Sequence, residues 1–125
     1  MIQEEYVSFK TAKLLKRKGF CQDLPYFYNE RGEVVKNDYN MIKAYPYITQ
    51  QMAMRWLREK HHIHIMIDCL GSSNYLPTIQ ITNSSKDIVV EGSESRIGGN
   101  GFDTYEEAVE HALQYAIKNY KNLIK

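Results

Sequence analysis

Two periodicities alternate along this chain. In "SFKTAKLLKRKGF", Phe9, Ala12 and Leu15 recur at three-residue spacing and so share one side of a helix, with lysines between them. Ser8 is a fitting N-cap, because its hydroxyl can accept from a first-turn amide. Gly19 followed by Phe20 fits a left-handed Schellman ending. The spacing predicts a helix over about 9–18. A second helix is expected after Pro46, capped by Thr49, with Ile48 stapled onto Ala53. Its inward stripe is Ala53, Trp56, Leu57 and the aliphatic stem of Lys60. The last helix is the plainest. Thr104 and Glu107 form a capping box, and Tyr105, Ala108, Val109, Ala112, Leu113, Ala116, Ile117 and Tyr120 make a continuous apolar stripe. Its Glu106, Glu110 and Gln114 side should face solvent.

Between the helices the period drops to two. Tyr26–Tyr28 and Glu33–Lys36 are short strand-like runs joined by Asn29-Glu30-Arg31-Gly32, a four-residue loop with glycine last. The stretch 38–47 has no decisive period. Ile63, Ile65, Ile67 and Cys69 alternate with His64, Met66 and Asp68, which marks a half-buried strand. Two further strands follow, with Leu76 to Thr82 after "GSSN" and "IVVEG" after "NSSKD". The predicted order is α-β-β-α-β-β-β-α. The expected class is therefore α+β, a single domain over 1–125 with a mainly antiparallel sheet and helices packed on one face. The last helix should lay its alanine stripe on the sheet carrying Ile63, Ile65 and Ile67, with Trp56 joining that core.

Composition adds bounds rather than a function. The chain has 125 residues, enough to bury roughly two thirds of its unfolded surface. No apolar run approaches the roughly 20 residues that cross a bilayer, so no membrane association is expected. The start, "MIQEEYVSF", is acidic and lacks the apolar core of a secretory signal. Cys21 and Cys69 are far apart and in no CxxC spacing. Reduced thiols in a cytoplasmic protein are the expectation. The net charge of +1 argues against an indiscriminate polyanion binder, yet it is unevenly spread. Residues 1–62 hold eleven Lys/Arg against seven Asp/Glu, and residues 63–125 hold five against eight.

Candidate chemistry is sparse. "WLREKHHIHIMID" places His61, His62 and His64 together, and His62 and His64 are expected on one face of the strand, close enough to share a metal, with Asp68 on the same face able to extend the pair. A zinc centre needs three or four protein ligands, and the remaining histidine, His111, belongs to the last helix. A helix end running into a strand accounts for these residues without a metal. No catalytic residue, metal ligand or cofactor site is therefore assigned. "GSESRIGGNG" lacks the lysine of a phosphate loop and leads to Glu106 and Glu107, which repel phosphate. Nucleophilic catalysis would need a Ser or Cys beside a base, and no such motif is present.

Two surfaces remain as binding candidates. Lys10, Lys13, Lys16, Arg17 and Lys18 have no acidic residue among them, a pattern suited to phosphate contact, although a solvated helix face would read the same. Tyr26, Tyr28, Tyr39, Tyr45 and Tyr47 concentrate aromatic surface around the hairpin, as protein-recognition surfaces do, although tyrosines that only cover a sheet would also alternate this way.

Three stretches, "EEYVSFKTAKLLKRKGF", "TQQMAMRWLREKHHIHIMID" and "GFDTYEEAVEHALQYAIKNY", cover close to half the chain. In them it resembles an uncharacterised family of short open reading frames from prophages and mobile elements of gut anaerobes. The resemblance implies a cytoplasmic, phage-type origin and brings no activity or site residues. Family members carry Asn after the first histidine, where this chain has His62. From the middle helix onward the order is also that of a double-stranded-RNA-binding domain. That family starts its last helix with a lysine cluster, and here the place reads "TYEEAVEHA", so RNA binding is not carried over. The expectation is a non-catalytic binding protein with an unidentified protein partner. A nucleic-acid accessory role for the first helix is the second reading, and a metal-dependent enzyme at His62 and His64 the third.

Overall fold

The computed structural model describes residues 3–38, 43–83, 85, 87–93 and 101–119. Over these the order is α1 (Phe9–Lys18), β1 (Tyr26–Tyr28), β2 (Val34–Lys36), β3 (Tyr45–Pro46), α2 (Gln50–His61), β4 (Ile63–Cys69), β5 (Tyr75–Thr82), β6 (Ile88–Ser93) and α3 (Tyr105–Asn119). The class is α+β, and every strand pairing is antiparallel. The strands form two sheets instead of one, ordered β2-β1-β3 and β4-β5-β6. The extra strand, β3, comes from the stretch without a period. It pairs Pro46 with Phe27 and Tyr45 with Tyr28, and two residues are too few to show an alternation. Tyr39, Tyr120 and the glycine-rich stretch 94–100 lie outside the described residues.

The helix ends follow their capping residues. Ser8 Oγ accepts from the Thr11 amide, and Gly19 at φ 111° turns the chain so that Phe20 N–H reaches Leu15 O at 3.0 Å. Thr49 caps α2 through the Met52 amide, and Thr104 caps α3 through the Glu107 amide. The inward face of α2 is Gln50, Ala53, Met54, Trp56 and Leu57, whereas Lys60 is exposed, against the expected stripe. Met54 takes that share of the interface, so the lysine stem is not needed there.

The core forms where α2 and α3 cover one face of the β4-β5-β6 sheet. Ala108, Val109, Ala112, Leu113 and Ala116 are fully buried with Ile63, Ile79 and Ile81. The register pairs Ile63 with Ile81 and Ile65 with Ile79, so these side chains share the covered face. Ile65 and Ile67 are partly buried at its margin, and Trp56 packs into the same core. At Gly32 (φ 79°) a Cβ would come within 2.9 Å of the Phe9 ring, so the hairpin loop can lie on α1 only with glycine there.

All three helices begin at the same end of the molecule. Val7 N–H bonds Ile48 O at 2.9 Å and Gln50 N–H bonds Glu5 O at 2.8 Å, which joins the starts of α1 and α2. Their far ends meet through Phe20 and Trp56, with ring centroids 5.2 Å apart. Ser8 bonds Glu110 and Thr11 bonds Gln114, so α1 and α3 also advance in the same sense. Three parallel dipoles concentrate positive partial charge at one end and negative at the other. The sequence complements both, with Glu4, Glu5, Glu106 and Glu107 at the start and Lys16, Arg17, Lys18, Arg58 and Lys60 at the finish.

Candidate nucleic-acid interface

Because Thr11, Ala12 and Leu15 point inward, the cations of α1 are turned outward. Lys10, Lys13, Lys16 and Arg17 are exposed, and Lys18 is half-buried. None of the first four takes part in an ion pair among the described residues. Two of them lie over aromatic rings, with Lys13 Nζ 4.7 Å from the centre of Phe9 and Lys16 Nζ 4.8 Å from that of Tyr45.

Those rings belong to a continuous aromatic array. Phe9 meets Tyr45 edge-on at 5.4 Å and Tyr28 at 5.6 Å. Tyr28 meets Tyr47 edge-on at 5.3 Å, and Tyr47 stacks on Tyr6 at 4.2 Å with only 8° between the planes. The Tyr28 hydroxyl donates to Val7 O, and burial, then Tyr47 and the carboxylates of Glu110 and Glu5, push its pKa up. Tyr28, Tyr45 and Tyr47 are thus half-buried against one another, whereas Tyr26 stands 48 % exposed on the same sheet face, across from Lys36. Two members of the array lie outside the tyrosines named from sequence: Phe9, expected only in the first helix's apolar stripe, and Tyr6. Tyr6 is placed by its antiparallel bridge to Thr49, a long-range pairing with no local signature.

The histidines lie at the other end. His62 is not on the strand but caps α2 at φ 58°, exposed, so it does not share the β4 face with His64. His64 Nε2 is 3.2 Å from Thr82 Oγ1. Asp68 does share its face but is four residues on, about 13 Å along a strand. Among the described residues no three His, Cys, Asp or Glu side chains are grouped to hold a metal.

His61 packs its ring edge on Trp56 at 4.7 Å. Burial, then Lys18 and His62, lower its pKa below the ordinary 6.5. Burial, then Arg58 and His62, do the same at His64. A histidine whose folded pKa is depressed binds its proton more readily when unfolded. Its contribution is complete above about pH 6.5 and is lost as the pH falls through that value towards the folded pKa. Melts at about pH 7.5 and about pH 5.5 should show lower stability at the acid end, and a His61→Gln, His64→Gln double variant should flatten the difference. Glu33 and Glu59, held below the usual carboxylate range by bonds from Asn29 and Arg55, act only at lower pH.

No protein-family model matches the chain, and no curated protein or solved structure is significantly similar to it. Its functional reading therefore rests on its own surfaces. Among the described residues no helix is long and apolar enough to cross a membrane.

The expected solvent face of α3 is corrected by the structure. Glu106 is exposed, but Glu110 and Gln114 are half-buried against α1. Glu110 accepts from Ser8 N–H at 3.0 Å, from the Thr11 hydroxyl at 2.6 Å and from the Gln50 side chain at 3.3 Å. The Gln114 amide donates to Thr11 Oγ1 at 3.0 Å. These bonds join α1, α2 and α3, so the group locks the helices together. Beside it an open cleft of ≈ 200 Å³ is lined by Glu4, Glu5 and Glu106 along with Thr49, Gln50 and Tyr105. Its carboxylates face the helix N-termini they complement.

Proposed function

We propose that the protein is a non-catalytic accessory factor of a phage or other mobile element, acting in the cytoplasm and binding nucleic acid through the outward face of α1. The observation that supports this most is the set of four exposed cations, Lys10, Lys13, Lys16 and Arg17, in no ion pair among the described residues and two of them over half-exposed rings. Lys16 and Arg17 also complement the C-terminal dipole of α1, whereas Lys10, in the first turn, and Lys13, mid-helix, do not. Their exposed charges are available to an anion from outside.

Binding of labelled oligonucleotides, followed by fluorescence anisotropy across a salt series, tests the reading. Four cations on phosphate give a slope of about −3 to −4 in log affinity against log salt. Charge reversal in Lys13→Glu, Arg17→Glu should reduce affinity at low salt at least about tenfold and make the slope shallower by about two phosphates' worth. Absence of binding to both DNA and RNA at low salt would end it.

One observation favours a second reading, a protein partner on the hairpin. Tyr26 and Val34 are 48 % and 47 % exposed, and the β1–β2 register sets them on one sheet face. A pull-down from host lysate in which wild type and Tyr26→Ala recover the same background would discard it.

A further inference from the structure

We infer that the nucleic acid this protein takes is single-stranded, and that Tyr6 is the platform on which one of its bases stacks. The inference rests on the nucleic-acid reading of α1 and adds the form of the ligand. Tyr6 is 41 % exposed although one face of its ring is covered by Tyr47, stacked at 4.2 Å and nearly coplanar. With Tyr47 on one face, the opposite face is the one on which an unstacked base would settle. The ring is also held firmly. Tyr47 is braced edge-on by Tyr28, and Tyr28 is tied to the backbone through its hydroxyl on Val7 O. A platform fixed before binding loses little freedom when a base settles on it.

The surroundings set the direction of the strand. From Tyr6 the array runs through Tyr47, Tyr28 and Phe9 to Tyr45, each step between about 4 and 6 Å, and ends beneath Lys13 and Lys16. Glu4 and Glu5, exposed beside Tyr6, repel phosphate on their side. A backbone following Lys10, Lys13 and Lys16 would thus point a base at Tyr6 and keep its phosphates clear of those carboxylates. Cations alternating with aromatic faces are the features with which proteins bind single strands without reading their sequence. A duplex keeps its bases stacked inside and offers no ring face to Tyr6.

The test uses the full chain and an oligothymidylate of roughly twelve nucleotides, within the range of single-strand site sizes, beside a loop-free two-stranded duplex of equal phosphate count. Anisotropy at low salt should show the single strand bound more tightly. Tyr6→Ala should lower single-strand affinity roughly tenfold, leave the duplex unaffected and keep the salt slope, since no phosphate contact is lost. Tyr6→Phe should restore binding. Should the alanine variant fail to fold, Tyr6→Trp serves instead, with emission quenched on adding oligothymidylate. Equal affinity for both ligands, with no effect of Tyr6→Ala or no quenching in Tyr6→Trp, overturns the inference and leaves the phosphate-binding reading standing. No binding to either ligand overturns both.

Discussion

Replacing Leu113 by alanine should cost roughly 2–5 kcal/mol, a large share of the 5–15 kcal/mol that holds a small domain together. Leu113 is fully buried on α3, in one apolar cluster with Ala112, Ala116, Ile79 and Ile81. The neighbouring alanines make the loss severe. They bring the α3 backbone close to the sheet, and a methyl group has no reach with which to fill the void. Urea unfolding should show a lower midpoint with an unchanged slope, the sign of lost stability without a change in the unfolded chain. Leu70, 58 % exposed, is the matched control, and its alanine variant should fall within about 0.5 kcal/mol of wild type. A Leu113→Ala loss below about 1 kcal/mol would mean that α3 does not dock as described.

How much of this was legible depends on whether a residue's role is local. Ser8, Gly19, Thr49 and Thr104 act on amides or carbonyls within a few residues, and each helix starts or stops where its capping residue indicates. The alternation of Ile63, Ile65 and Ile67 likewise fixed the covered face of β4. What the sequence hid depends on contacts between distant segments. β3 exists only through its pairing with β1, and Tyr6 joins the aromatic array only through the bridge to Thr49. His62 misled because a residue between a helix and a strand can belong to either. Its left-handed backbone removes it from the strand and dissolves the His62–His64 pair. The lysines of α1 were visible as a basic run and Phe9 lies one helical turn before Lys13, but the ring beneath Lys16, Tyr45, comes from a distant strand.

Glu110→Ala should be nearly as damaging, at about 3 kcal/mol, although periodicity places Glu110 on a polar helix face indistinguishable from a solvated one. The reason lies at the start of α1. A capping box would satisfy the Ser8 amide with a glutamate three residues on, and that position is Thr11. Glu110 of α3 supplies the carboxylate instead, accepting the Ser8 N–H at 3.0 Å and the Thr11 hydroxyl at 2.6 Å. It sits where the α1 dipole favours negative charge. Gln50, 2 % exposed, reaches the same carboxylate and Glu106 O, so all three helix starts converge on it. Truncation leaves an amide, a hydroxyl and a buried carboxamide short of an acceptor, each worth roughly 1–3 kcal/mol if no water reaches it. Partial exposure of the site brings the total down towards about 3 kcal/mol. Glu110→Gln keeps an acceptor but loses the charge and should fall between alanine and wild type, while Glu107→Ala, on exposed surface, should change little. In a double-mutant cycle Glu110→Ala and Thr11→Val should couple by about 1 kcal/mol or more. Additive losses would show that the two side chains are neighbours without being partners.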